Sequence, residues 1–104
     1  MTNFHELWFA YGRDRRPTNI GNVVDGVRIG DLDDEIQDVA SSYAGLTSQE
    51  FGMERVAQLG LALDGVTRLL PKLNPLDTRL YFERLALLAR SVLSEIATGR
   101  PNER

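Results

Sequence analysis

Cysteine is absent from the 104 residues, which excludes disulfides, thiolate metal sites and cysteine nucleophiles, and removes the usual staple of small secreted folds. A reducing cytoplasm is the expected location. No apolar run approaches the ~20 residues that cross a bilayer, and Met1 to Ala10 lacks the basic start and apolar stretch of an export signal. The expectation is a soluble, unprocessed protein with no membrane partner. Histidine occurs once, at His5, with no partner at a spacing suited to nucleophilic catalysis. Glu-x-x-His, His-x-x-x-His and phosphate-loop glycine patterns are missing as well. The chain therefore reads as non-catalytic, with no metal and no cofactor.

Lysine is almost missing too: Lys72 stands alone beside eleven arginines, and the net charge is −3. That charge is unevenly placed. From Ile29 to Glu54 there are seven acids, Asp31, Asp33, Asp34, Glu35, Asp38, Glu50 and Glu54, and no Lys or Arg. From Arg55 onward, eight bases face five acids. An acidic central block is poorly suited to a nucleic acid, whose binding rests on phosphate neutralisation. It favours a basic protein surface as partner.

With 42% apolar and 26% charged residues, the composition is that of a soluble globular chain, long enough for one small core. Phe4, Leu7, Trp8 and Tyr11 fall at helical spacing, with Asn3 and Glu6 in capping-box positions and Gly12 beyond the end. A short helix over residues 1–12 is expected, with a strand as the competing form because Trp8, Phe9 and Tyr11 favour strands. Phe9-Ala10-Tyr11-Gly12 resembles the opening strand of gamma-glutamylcyclotransferases, but the helical remainder does not suit that family's barrel. Residues 13–30 form a connector rich in turn formers. Within it, Val23 to Ile29 has the form of a tiny hairpin about Asp25-Gly26, although an irregular segment tacked down by Ile20, Val24, Val27 and Ile29 is the preferred reading. The loop Arg13 to Gly21 is a candidate contact segment.

The helical core spans residues 31–98, with a frayed tail at 99–104 after Gly99 and Pro101 close the last helix. Asp31 is the expected cap of a helix to Ala44 whose inner face is Ile36, Val39, Ala40 and Tyr43. A calcium loop counted from Asp31 fails, because Ile36 and Ser42 occupy the positions that need Gly and Glu. Thr47 to Leu70 reads as the central helix, opened by a Thr47/Glu50 capping box and ended by Pro71. Its seam is Val56, Leu59, Leu63, Val66 and Leu70. A second apolar set, Met53, Ala57, Gly60 and Leu61, widens it, and Gly52, Gly60 and Gly65 imply a close neighbour. The last helix starts with Asn74 as cap and Pro75 at its first helical position, and its apolar residues, Leu76 to Ile96, nearly encircle the axis.

The expected fold is all-α: a small bundle built on a long antiparallel hairpin, Thr47 to Leu70 and Pro75 to Thr98, with one or two shorter N-terminal helices and an irregular connector. The surplus apolar surface implies a homodimer through the apolar helices. The leading functional expectation is a small acidic protein-binding module, an inhibitor, immunity factor, antiactivator or adaptor. Its contacts would be Asp31, Asp33, Asp34, Glu35 and Asp38, or Arg13, Arg15 and Arg16. Two alternatives stand beside it. Leu59 to Leu70 resembles the turn and recognition helix of helix-turn-helix regulators, which implies a turn at Gly60 and base contacts from Ala62, Leu63, Asp64, Thr67 and Arg68. The other is a purely structural homo-oligomer.

Overall fold

The computed structural model describes residues 4–11, 16–45 and 52–98. Four helices pack on one another: α1 (Phe4–Tyr11), α2 (Ile29–Ala44), α3 (Met53–Leu69) and α4 (Leu76–Thr98), with a two-stranded hairpin, β1 (Val23–Val24) and β2 (Val27–Arg28), before α2. This is a small all-α bundle. Its centre is α4, which packs on α1, α2 and α3 at once. Of the apolar residues that nearly encircle it, Leu76, Leu80 and Leu87 stay exposed, while Tyr81, Phe82, Leu85, Leu88 and Val92 are buried. Ala86 and Ala89, buried between them, let the neighbouring backbones come close.

Helix α2 buries Ile36, Val39, Ala40 and Tyr43, as the 3.6-residue period requires. It starts at Ile29, not at Asp31, and no side chain caps it, so Asp31 sits in the first turn. There its carboxylate still favours the positive end of the helix dipole. Helix α3 starts at Met53 after Gly52, which is extended at ψ 164°. The Thr47/Glu50 capping box lies outside the described residues, as do Asn3, Gly12, Arg13, Arg15, Gly99 and Pro101. From Met53 to Leu69 the helix passes through Gly60 uninterrupted, so the turn that a helix-turn-helix needs there is not formed.

Of the three glycines thought to meet a close neighbour, only Gly65 does: a methyl there would lie 3.1 Å from a Leu32 methyl. Gly52 and Gly60 face open space. Leu59, Ala62, Val66 and Leu69 are buried, whereas Met53, Ala57 and Leu61 are exposed, so none of the described residues covers these three members of the second apolar set.

Pro71 ends α3 in a 3₁₀ turn over Leu70–Lys72, and α4 follows after the cis Asn74–Pro75 peptide. The carbonyl of Pro75 accepts from the amides of Thr78 and Arg79, so Pro75 takes the cap position and Asn74 lies one residue outside it.

The hairpin is real, with Val24 opposite Val27 and Val23 opposite Arg28. Asp25 and Gly26 have φ of +54° and +79°, the double left-handed geometry of a type I′ turn. The connector is thus more regular than expected, and an Asp25–Lys72 ion pair ties its tip to the end of α3. Glu95 on α4 fastens α1: its carboxylate accepts from the Phe4 amide at 2.9 Å and from the Tyr43 hydroxyl at 2.6 Å. Burial and this carboxylate together push the Tyr43 phenol well above its ordinary value.

Candidate functional site

Two of the sequence's candidate groups meet at one point. Asp33 lies three residues before Ile36 and seven before Ala40, on the inner stripe of α2, and is 1% exposed. Its Oδ1 accepts from the Tyr81 hydroxyl at 2.8 Å and from the Gln37 amide at 3.5 Å. The Arg16 guanidinium, at the start of the described connector, reaches its Oδ2 with Nε at 2.8 Å and Asp34 with Nη2 at 3.3 Å. Burial raises the Asp33 carboxyl above its usual range, while the Tyr81 hydrogen bond and the Arg16 charge pull it back without cancelling the shift. Tyr81 is pushed up in turn by burial and by the neighbouring carboxylate. Among the described residues, no buried side-chain nitrogen or oxygen lacks a partner.

Asp33 is therefore no part of a docking face, because its carboxylate is enclosed and shared by three donors. The signal was present in the spacing 33, 36, 40, and reading all the acids as one cluster hid it. Asp31, Asp34 and Asp38, at intervals of three and four, stand exposed along one edge of α2, with Glu35 half-buried beside them. Arg16 holds Asp34, and Arg55 holds Asp38 at 3.0 Å while also donating to Ser42 at 2.6 Å. The acidic edge is thus partly ordered from both sides. No three His, Cys, Asp or Glu side chains among the described residues converge on a metal-sized point.

A second layer of polar contacts lies beneath the connector. Thr78, buried at the start of α4, donates to the Asn19 side-chain oxygen at 2.7 Å, and Asn19 donates to the Asn74 carbonyl at 2.8 Å. The connector thus roofs a cleft of about 480 Å³, lined by Arg16, Pro17, Thr18 and Asn19 on one side and by Pro75, Thr78, Leu80 and Arg84 among others on the opposite side. The candidate loop Arg13 to Gly21 contributes this wall through residues 16–19. Helical periodicity could not have located the cleft, because it depends on contacts between residues 59 apart.

The side chains that a recognition helix would present to DNA are partly buried and partly bonded within α3. Ala62 is buried, Leu63 is half-buried, Thr67 donates to the Leu63 carbonyl at 2.9 Å, and Arg68 pairs with Asp64 at 3.3 Å. His5 is exposed and meets the edge of Phe4, with ring centroids 5.4 Å apart. No protein-family model, curated protein or solved structure significantly matches this chain.

Proposed function

We propose that this protein is a small non-catalytic module that binds another protein, as an inhibitor, immunity factor, antiactivator or adaptor, and that the acidic edge of α2 meets a basic surface. The observation that supports this reading is the row of exposed Asp31, Asp34 and Asp38 on a helix that carries no Lys or Arg from Ile29 to Ala44. Exposed charges of one sign on a rigid helix steer encounter and suppress wrong partners more than they add affinity. Arg16 and Arg55 fix two of these carboxylates before the partner arrives, which reduces the ordering cost of association.

The triple variant Asp31→Asn, Asp34→Asn, Asp38→Asn tests this reading. It keeps the shape of the edge and leaves the Arg16–Asp33 contact in place. Capture of a basic partner from the native host, followed by association kinetics at low salt, should show an on-rate reduced about tenfold, with the salt dependence flattened. Equal capture and equal rates for variant and wild type would sink it.

Self-association is a second reading, supported by exposed Met53, Ala57 and Leu61 beside the open surface at Gly60. Such a stripe admits a close helix neighbour. Sedimentation equilibrium over a concentration series should show a dimer for wild type and a monomer for Leu61→Glu. A wild type that stays monomeric throughout removes this reading.

A further inference from the structure

The outer face of α4 carries Leu76, Leu80 and Leu87, which are 56%, 37% and 43% exposed. Their spacing, i, i+4 and i+11, places them on one line of the helix. Single exposed leucines are ordinary on a protein surface, but an aligned set is not. Helix α1 lies antiparallel alongside, because Phe4 bonds Glu95 near one end and Tyr11 lies under the Arg84 guanidinium, 5.7 Å from its ring centroid, near the other. That places Phe9, 74% exposed, at about the height of Leu87. The middle residue of the line, Leu80, also lines the 480 Å³ cleft, beside Pro17 and Pro75. Its volume falls within the range of sites that enclose a ligand.

The flanks of this line have a charge of their own. Arg79, Arg84 and Arg90 stand against Asp77 and Glu83, a net positive strip on a chain whose total is −3. Apolar anchors at helical spacing, a cleft beside one of them and a basic border are the complement of an amphipathic helix with acidic flanks.

We propose that the outer face of α4, the line Leu76, Leu80 and Leu87 with the cleft beside Leu80, docks an amphipathic helical segment of a partner protein whose flanks carry carboxylates. One bulky apolar side chain of the segment enters the cleft against Pro17, Pro75 and Leu80. Its following turns cover Leu87 and Phe9, and its carboxylates meet Arg84 and Arg90. This surface lies on a different helix from the acidic edge and has the opposite charge. A chain that uses both joins a basic surface to an acidic-flanked segment, which among the readings above is the adaptor.

The probe is a fluorescein-labelled synthetic helix of about 16 residues, with Leu at i, i+4, i+7 and i+11 and Glu on both flanks. Its control carries Lys in place of every Glu. Fluorescence anisotropy against the full chain should show saturable binding of the Glu peptide. Leu80→Glu and Leu87→Glu should each weaken it about tenfold, with the fold of both variants checked by circular dichroism. Arg84→Gln with Arg90→Gln should weaken it about threefold, and the α2 triple variant should bind within about twofold of wild type. The last comparison separates this proposal from the acidic-edge reading, since either can fail alone. Equal or tighter binding of the Lys peptide, no saturable binding of the Glu peptide, or undiminished binding by Leu80→Glu overturns the proposal. So does a wild-type dimer in sedimentation that Leu80→Glu dissociates, because a second copy would then hold this face.

Discussion

Asp33→Ala is expected to lower stability by about 1–3 kcal/mol, the scale of leaving a buried polar partner unmatched. The substitution leaves the Tyr81 hydroxyl without its acceptor and takes one partner each from Gln37, which keeps the Tyr81 oxygen, and from Arg16, which keeps Asp34. Asp33→Asn is expected to be nearly neutral or stabilising at neutral pH, because its amide oxygen still accepts from Tyr81 while the cost of enclosing a charge is gone. Arg16 keeps Asp34 and is half-exposed, so losing one bond costs it little. The pH dependence gives the sign of the balance. Burial holds the folded carboxyl above its unfolded value of 3.8. The fold therefore binds this proton more tightly than the unfolded chain does. That contribution is fully present below the unfolded value and is lost as pH rises through the folded one. Thermal melts of wild type and Asp33→Asn, run from pH 3 to 7, should show the wild type losing ground to the variant as pH rises. A difference that grows in favour of wild type would mean that the attraction of Arg16 outweighs burial.

Gly30→Ala is expected to destabilise by about 2 kcal/mol, the usual scale of overpacking, whereas Gly60→Ala is expected to stabilise by up to about 1 kcal/mol. The two sites differ in what a methyl would meet. At Gly30 it would lie 2.8 Å from the carbonyl oxygen of Ile20, a backbone atom that moves only if the connector lifts from α2. At Gly60 it would have nothing within 4 Å, so only the gain in helix propensity remains. Urea denaturation of both variants gives opposite shifts in midpoint if this geometry is right. An unchanged midpoint for Gly30→Ala would show that Ile20 is not held against α2. A lower one for Gly60→Ala would show that something covers that side of α3.

Most of the fold was legible, because helix periodicity identifies the inward side of each element. Ile36, Val39, Ala40 and Tyr43 on α2 follow from spacing alone, as does the all-α bundle. Periodicity does not tell whether a neighbour reaches the side it marks. Met53 and Leu61 continue an apolar pattern that none of the described residues covers, and Gly60 has the same composition signal as Gly65 without its Leu32 contact. Boundaries were also less legible. Asp31 and Asn74 are favourable caps, yet the hairpin delivers the chain into helix at Ile29, and Pro75 supplies the first accepting carbonyl of α4. At the candidate site, Asp31, Asp34 and Asp38 were readable as an exposed row. The enclosure of Asp33 was not read, because it depends on Tyr81, 48 residues away, and on Arg16 arriving from the connector.

The polar layer beneath the connector has a consequence for the order in which the molecule assembles. The hairpin of α3 and α4 and its junction with α2 close short stretches of chain and bury aliphatic groups, so they form early, with little loop entropy to overcome. The connector is first held near α2 by Arg16 on Asp34, 18 residues away, and by Ile20 against Gly30, and its Asn19 bonds then close across 55 and 59 residues, while α1 is placed only when Phe4 meets Glu95 across 91. Those closures need a finished three-helix frame. Helix α1 is thus the last element to be placed.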